Sequence, residues 1–431
     1  MILNSIFILE LYMRTNKAKY LITMYKISCP LLIFFMCLSF ASSIQANNDV
    51  LKKTFSTKYT NLNNLNNQKY FEKKKGYLSN VTLNYKVKSY VTNLNLIHNA
   101  QNKLLLDNTY LQKETSNIIL RFGSKDMNWS YSPKSSLVLS SHSRPLNSIY
   151  FKARNKNKLN IKWLPSIQAA SLELYNGKVK ESIDSDETML FGIRSTISTT
   201  NNFHIEALRM LQWGGYANND PSVLFKSFFS DTNDGEHHKI NQLAGFGLSF
   251  TVPNKKYPLR VYTQIVGEDE AGNLPSCLFS LTGTEWQGLV FKHPAKIGIE
   301  YIDTRVDYTT HGNCGPNTAY NNSFYKYRHY GTVLGAPIDT EGKSIEFFGN
   351  ADFSKYLTTH FSFKKVLINS SNWSGHSLSS GQKEGWENTI ALSFIKDNYT
   401  ITGKIHSQNY DLEKINSFKG FGITLSSSIN F

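Results

Sequence analysis

The chain has 431 residues and a formal net charge of +15 at pH 7. Charged residues make up 18% of it and aromatic residues 13%. Beyond the N-terminal region no run reaches about 18 consecutive apolar residues, which argues against a helical membrane protein. Low charge with abundant aromatic residues suits strands that have one wet face and one apolar or interfacial face.

The N-terminal region has the pattern of an export signal. Lys26 provides a positive start, residues 30–40 form a short apolar core, and residues 44–46 (Ile-Gln-Ala) resemble a cleavage site. Residues 1–46 are therefore predicted to be a signal-peptide region. Because the stretch before Met24 is too long for a normal signal start, translation is predicted to begin at Met24.

The next segment is polar. Residues 47–76 include an Asn-rich run and a basic run and show no convincing period. This composition predicts a short, flexible, polar N-terminal periplasmic segment. From residue 77 the dominant pattern has period two, and residues 77–431 are predicted to form one outer-membrane β-barrel.

The final segment, GFGITLSSSINF, shows the alternation most clearly. Its apolar residues lie on one side: Phe421, Ile423, Leu425, Ile429 and Phe431. Their neighbours are small or polar, as a strand between lipid and a polar lumen requires. A half-buried strand of a soluble sandwich would show a similar pattern. The terminal Phe431 resembles the signal read by the barrel-assembly machinery, which we expect as a partner during biogenesis.

Other alternating runs occur in pairs that flank short turns, and long polar segments separate the pairs. The predicted long segments are residues 212–240, 267–283, 305–342, 367–386 and 407–417. Short turns at one end and long loops at the other are typical of an outer-membrane barrel. The predicted fold is therefore all-β, a large transmembrane antiparallel β-barrel of roughly 16–18 strands surrounded by outer-membrane lipids.

Cys277 and Cys314 are the cysteines outside the predicted signal region, and both have loop-like surroundings. In an oxidising compartment they could join two neighbouring loops. Their distance cannot be read from the sequence, so a disulfide and two free thiols both remain possible.

Several motifs, in order along the chain, resemble those of the capsule assembly protein Wzi family. They are SSLVLSSHSRP (135–145), LQWGG (211–215), NQLAGFGLSF (241–250), QIVGEDEAGNLPS (264–276) and YRHYGTVLGAPID (327–339). The resemblance implies a Gram-negative outer-membrane barrel with a largely occluded lumen. It also implies binding and anchoring of capsular or extracellular polysaccharide at the cell surface. Catalysis, a cofactor and a metal site are not implied, and the location excludes nucleic acid as a partner.

An acidic cluster, Glu268, Asp269 and Glu270, lies between two glycines. Three adjacent like charges repel unless cations balance them. We expect arginines to neutralise the cluster and fix its loop as part of a plug. The candidate arginines are Arg144, Arg209 and Arg328. A Ca²⁺ site and a general acid/base pair are the other interpretations of these carboxylates.

Aromatic residues provide the candidate polysaccharide-binding site. Trp213 precedes two glycines that open the backbone beside its ring, and Tyr325, Tyr327 and Arg328 belong to a run that interleaves aromatic and cationic side chains. Rings can stack on sugars and the cations can attract an acidic glycan. The same run could instead line the lumen as part of the plug, and Trp residues at strand ends can form a lipid-headgroup girdle.

Two other classes of function compete with polysaccharide anchoring. A porin-like channel would need an open lumen, against which the bulk of the predicted long loops argues. An outer-membrane enzyme would need a recognisable nucleophile and base. His142 lies between Ser141 and Ser143 without any such spacing, so we expect no enzymatic activity.

Overall fold

A computed structural model describes most of the chain. The described residues are 50–60, 76–99, 101, 103–155, 157–158, 167–181, 186–215, 222, 240–254, 258–271, 274–307 and 314–431. The predicted signal region and the predicted start at Met24 lie outside these residues.

The period-two segments form extended strands because successive side chains of a strand alternate between its two faces. The strands are β1 Val50–Thr60, β2 Gly76–Val87, β3 Tyr90–His98, β4 Leu104–Leu105, β5 Tyr110–Glu114, β6 Ile118–Ser124, β7 Asn147–Asn155, β8 Ala169–Lys180, β9 Glu187–Ser198, β10 Phe203–Trp213, β11 Asn241–Thr251, β12 Leu259–Ala271, β13 Leu274–Val290, β14 His293–Asp303, β15 Arg328–His329, β16 Thr332–Val333, β17 Lys343–Ser354, β18 Leu357–Ile368, β19 Lys383–Lys396, β20 Tyr399–Gln408 and β21 Gly420–Asn430. A short 3₁₀ helix occupies Glu413–Ile415.

The strands close into a ring. Each long strand pairs with the next one along the chain, and β1 pairs both with β2 and, antiparallel, with β21. The two-residue strand β4 pairs only with the end of β3. Without it, eighteen strands run around the barrel. The remaining two, β15 and β16, form a separate small hairpin. The predicted all-β antiparallel barrel is confirmed, at the upper end of the predicted strand number.

The first strand corrects the predicted domain boundary. β1 lies inside the segment 47–76, so the barrel begins at Val50 and not at residue 77. Phe55 and Tyr59 pair with Ile429 and Leu425, and these residues form the outer face of the seam. The alternation was missed because Thr and Lys occupy the other positions of β1, and its two aromatic residues alone make a weak signal.

The outer face of the barrel is apolar. On β11, Phe246 is 54% exposed and Phe250 is 42% exposed, whereas their neighbour Ser249 is buried. Ile265 of β12 lies directly opposite Phe246. This inversion, with apolar side chains outside and polar ones inside, is what a strand between lipid and a wet lumen requires.

No helix among the described residues is both long enough and apolar enough to cross a membrane.

Large aromatic side chains lie exposed at both ends of the barrel. Trp386, Phe421 and Tyr77 lie at one end, and Phe291 and Tyr399 lie at the other. Aromatic girdles at these two levels are typical of outer-membrane barrels, in which they contact lipid headgroups. For Trp386 the structure thus favours the girdle over a sugar-binding role.

The connections are short at one end and long at the other. Turns such as 291–292 and 397–398 lie at one end, and long segments such as 125–146 and 304–342 leave from the other. In outer-membrane barrels the long loops face the outside. One predicted loop is wrong, because the segment 267–283 is a hairpin whose strands stay paired from Gly267 with Leu278 to Ala271 with Leu274.

Ion pairs connect the strands across the inner face of the wall. Arg194 of β9 donates to Glu206 of β10 at 2.8 Å (Nε) and 2.5 Å (Nη2), and it lies 3.5 Å from Glu173 of β8. Gln264 of β12 donates to the second oxygen of Glu206 at 3.0 Å. Since all these groups are buried, each charge needs its partner.

Gly247→Ala is predicted to destabilise the barrel. A Cβ at Gly247 would lie 2.3 Å from Oε1 of the buried Glu206, which cannot move without breaking its bond to Arg194. Overpacking of this kind costs about 1–3 kcal/mol. The measurement is the temperature at which the purified protein loses its folded migration on a gel. The control is Gly403→Ala, whose Cβ meets only Leu425 at 3.9 Å. Equal midpoints for the two variants would contradict the prediction.

Candidate functional site

Two long segments fold into the lumen from the long-loop end. They are residues 125–146 and 314–342, and together we call them the plug. Leu137 and Leu334, one from each segment, are both 0% exposed. The plug therefore has an apolar core of its own, which packs on inward-facing side chains of the barrel wall.

Tyrosine hydroxyls join the two segments of the plug. Tyr320 donates to the carbonyl of Leu137 at 2.7 Å, and Tyr327 donates to the carbonyl of Val138 at 2.9 Å. Their rings stack with centroids 5.9 Å apart. Burial raises the pKa of both tyrosines well above the usual value, so both hydroxyls stay protonated and act as donors.

Polar side chains attach the plug to the wall. The amide of Gln264 donates to the carbonyl of Trp129 at 2.6 Å and accepts from the backbone N–H of Leu137 at 2.8 Å. His329 accepts from the backbone N–H of Lys180 at 3.1 Å. Burial, with the nearby Arg144, lowers the pKa of His329 to about 3, so its ring is neutral and can accept this bond.

The motifs selected from the sequence meet at these contacts. Gln264 begins one motif and bonds to Leu137 of another, while Ser140 donates its N–H to Leu334 of a third at 2.8 Å. Tyr325, two residues before the third motif, donates to the carbonyl of Gly214 at 3.0 Å. The motifs thus contribute residues of the plug and the wall residues to which the plug is bonded.

Side chains of loop 369–382 bond to the plug around a buried ion pair. Arg328 donates to Asp339 at 2.7 Å and 3.2 Å, and Ser377 donates to the same carboxylate. His376 donates to the carbonyl of Thr340 at 2.9 Å. Burial by itself would raise the pKa of Asp339, but the charges of Arg328 and His376 and the hydrogen bonds hold it below its usual value.

Cys277 and Cys314 are joined by a disulfide, with their Cα atoms 5.1 Å apart. Cys277 lies near the start of β13, and Cys314 is the first residue of the plug segment 314–342. The bond therefore fixes this end of the plug to the β12–β13 hairpin.

The structure does not keep the acidic cluster together with its expected arginines. Glu268 points inward and accepts the N–H of Tyr320 at 2.9 Å, while the side chains of Asp269 and Glu270 lie outside the described part. Through the paired strands Arg209 shares a face with Gly267, so it lies on the face of the wall opposite to Glu268.

The other two expected arginines pair with carboxylates that the sequence had not indicated. Arg144 makes two hydrogen bonds of 2.8 Å to Asp107 and lies over the ring of Tyr330, and Arg328 pairs with Asp339. Among the described residues no group of His, Cys, Asp or Glu is arranged to hold a metal ion.

The candidate polysaccharide-binding residues are placed in packing roles. Tyr325 and Tyr327 are each 1% exposed and Arg328 is 7% exposed, so their surfaces are covered by the plug. Trp213 is half-buried and packs beside Leu211 on the outer side of β10. In the sequence, a run of aromatic and cationic residues has the same pattern in a buried plug as in a glycan-binding site. The structure favours the plug.

Sequence reasoning missed Tyr320 and Asp339 as organisers of the plug. Asp339 ends one of the quoted motifs, so the motif itself contained the signal. Tyr320 lies in a predicted loop without any pattern around it. Its role follows from a contact with Leu137, which is 183 positions away along the chain.

Asp339→Asn is predicted to loosen the plug. The buried Arg328 would lose its counter-charge, at a cost of about 3–5 kcal/mol. Because the pKa of Asp339 is lowered from 3.8 on folding, its stabilisation is complete above that value and is lost as the pH falls through the lowered pKa. We expect a lower thermal midpoint at pH 7, followed by tyrosine fluorescence, and a smaller difference from the wild type as the pH falls below the usual pKa of an aspartate. Asp397→Asn, in an exposed turn, is the control; a wild-type midpoint for Asp339→Asn would contradict the role of the pair.

Removal of the disulfide is predicted to let the plug open. The bond closes a loop of 37 positions, and such bonds contribute about 2–4 kcal/mol. In planar bilayers we expect small currents from the oxidised wild type and more frequent openings from the double variant Cys277→Ser, Cys314→Ser. Large steady currents from the oxidised wild type would show that the plug does not occlude the lumen.

The fold is shared with solved outer-membrane barrels. The structure of Wzi from Escherichia coli, described as a carbohydrate-binding β-barrel involved in group 1 capsule assembly, matches with a TM-score of 0.71 and 18% identity over 88% of this chain and 84% of that one. OccAB4 of Acinetobacter baumannii matches with a TM-score of 0.51 and 10% identity over 90% of this chain and 99% of that one. At these identities the likeness concerns the fold.

One curated relative is an uncharacterised 55.8 kDa protein in the cps region of Klebsiella pneumoniae, 27% identical over 191 residues. The match spans 44% of this chain and 38% of that relative's length. The apolar outer face and the two aromatic girdles agree with a location in the outer membrane. Residues 43–415 match the family model described as capsule assembly protein Wzi. Since this match covers most of the chain, the protein belongs to the capsule assembly protein Wzi family of outer-membrane β-barrels.

Proposed function

We propose that this protein binds capsular or related extracellular polysaccharide and anchors it at the cell surface. The observation that carries the proposal is the plug, found in a barrel of a capsule assembly family. A lumen filled by packed segments with an apolar core is unsuited to passage of a polymer. The loops that cover it offer a surface on which a polymer can lie.

Retention would depend on many weak contacts. A long polymer carries many copies of its repeating unit and meets many copies of the protein, so modest affinity at each site becomes strong retention through avidity. The formal net charge of +15 would favour an acidic polymer. The protein would bind the polymer without cleaving or modifying it.

A porin-like channel is the competing function. It would require displacement of the plug, which is bonded to the wall through Gln264 and His329 and to loop 369–382 through His376. These contacts favour a closed lumen, and the conductance measurement above separates the two functions.

Two further partners belong to the proposal. Outer-membrane lipids would cover the apolar outer face, with headgroups at the level of Trp386 and Phe421. The barrel-assembly machinery would recognise β21, whose outer row includes Ile423 and Leu425.

The purified protein is predicted to retain the polysaccharide extracted from its source strain. Full-length protein in detergent is immobilised through a tag and incubated with the polymer. We expect retention, and an unchanged polymer length after long incubation. An unrelated outer-membrane barrel of similar size is the control. In cells, deletion of the gene should release polymer into the medium without stopping its synthesis. Equal retention by the control barrel, together with unchanged surface polymer in the deletion strain, would contradict the proposal.

A further inference from the structure

One buried cation of the lumen lacks a carboxylate partner. Arg121, on the inner face of β6, is 4% exposed. Its guanidinium lies 4.3 Å from the ring centroid of Tyr150 and 5.9 Å from that of Tyr110. One nitrogen donates to Gln112 over 3.5 Å, and another lies 2.8 Å from the sulfur of Met127. The Nε atom is buried and has no hydrogen-bond partner in the described part of the chain.

Two carboxylates of nearby strands have other partners. Glu173 lies 3.5 Å from Arg194, and Glu114 lies 3.1 Å from Arg154. Within the described residues Arg121 makes no ion pair, whereas Arg194 in the same lumen pairs with two carboxylates. A buried charge without a counter-charge is costly, and two aromatic faces compensate it only in part. This cost makes Arg121 a candidate for an anionic ligand.

A second cation lies beside it. Lys125 follows the end of β6, is half-buried, and has its Nζ 4.9 Å from the ring centroid of Tyr110. It makes no ion pair within the residues that the structure describes. The two cations thus share Tyr110 as a neighbour, and Lys125 is the one that solvent reaches.

A small hollow lies next to these cations. Its polar lining includes Lys125, Ser140, Ser143 and Arg144, together with the carboxylate of Asp126, which accepts a hydrogen bond from Asn108 at 3.1 Å. Its volume is about 200 Å³ including the open side, and only a small part of it is enclosed. The enclosed part is too small for a whole sugar ring, so a charged substituent would enter from the open side. Met127 both lines the hollow and contacts Arg121, so its flexible side chain lies between the guanidinium and the space.

We propose that this hollow, which we call the Arg121 hollow, binds the carboxylate of an acidic sugar residue in the polysaccharide. The inference rests on the proposed function and names its ligand class as a polymer that contains uronic acid. Lys125 meets the carboxylate at the opening, and Arg121 provides charge and a planar pair of donors below once Met127 turns aside. Arg121 lies at the inner face of the wall, away from the lipid, so a lipid headgroup is not the ligand.

The test uses full-length protein in detergent with a tetramer of galacturonic acid as the probe. Its fully methyl-esterified counterpart is the neutral control ligand. We expect the acid tetramer to bind and the ester to bind at least roughly tenfold more weakly, because charged hydrogen bonds are lost. Inorganic phosphate at the same concentration should not displace the tetramer. Displacement by phosphate would indicate a general anion site and overturn the assignment to a carboxylate.

The variants are Lys125→Gln and Arg121→Gln, each expected to weaken binding of the acid tetramer by roughly tenfold or more. Lys113→Gln is the matched control, because it removes the same charge from the neighbouring strand β5 on the outer face, where Lys113 lies over Tyr90. It should bind like the wild type. Gel migration of unheated samples checks that each barrel is folded, and if Arg121→Gln fails to fold, the half-exposed Lys125 still decides the test.

The outcomes separate the two proposals. Unchanged binding in folded Lys125→Gln, or an equal loss in Lys113→Gln, would overturn the Arg121 hollow while leaving polysaccharide anchoring intact. If the wild type retains its native polymer but does not bind the acid tetramer, the carboxylate assignment fails alone. Failure of the wild type to retain any polymer would overturn the proposed function and this inference with it.

Discussion

The structure depends on the hydrogen bonding of every strand to two neighbours. A strand in lipid cannot leave its N–H and C=O groups unpaired, so the sheet must close on itself. The closing strand is β1, which pairs with β21 from Thr54 to Thr60 and with β2 on its other side. The alternation of apolar outer and polar inner side chains follows from this closure, since each residue of a closed sheet faces either lipid or lumen.

Closure also explains the chemistry of the lumen. The inner face must be polar, and a barrel of eighteen strands encloses more space than its own wall side chains fill. The two plug segments occupy part of it, and they bring an apolar core into a polar interior. The plug is held together by groups that remain neutral, such as Tyr320 and Tyr327, and by a fully paired charge, Arg328 with Asp339. A plug held in this way makes the outer end of the barrel a surface, which is the basis of the proposed polysaccharide binding.

Whether a buried charge has a carboxylate partner distinguishes the structural arginines from the candidate functional one. Arg194 and Arg328 have carboxylate partners at hydrogen-bond distance, and their roles are explained by the barrel and the plug. Arg121 has aromatic rings, an amide and a sulfur instead, and it lies near the hollow proposed above for a carboxylate. Since burial penalises an unpaired cation, the difference points to a ligand from outside the chain. Of the polysaccharide-binding residues expected from sequence, by contrast, Tyr325, Tyr327 and Arg328 are buried in the plug, and Trp213 packs on the outer side of β10.

The sequence by itself determined the class of fold, because period-two alternation, as in β21, is a local consequence of a strand with two different environments. It also indicated the family through short motifs and the cysteines that form the disulfide. Only the tertiary structure decided that residues 50–60 close the barrel, that Arg144 pairs with Asp107, and that Tyr325 and Tyr327 are buried. These outcomes depend on strand register and on loops that fold inward to meet residues far along the chain. Alternation reports which face a side chain takes, but it contains no information about which distant residue that face will meet.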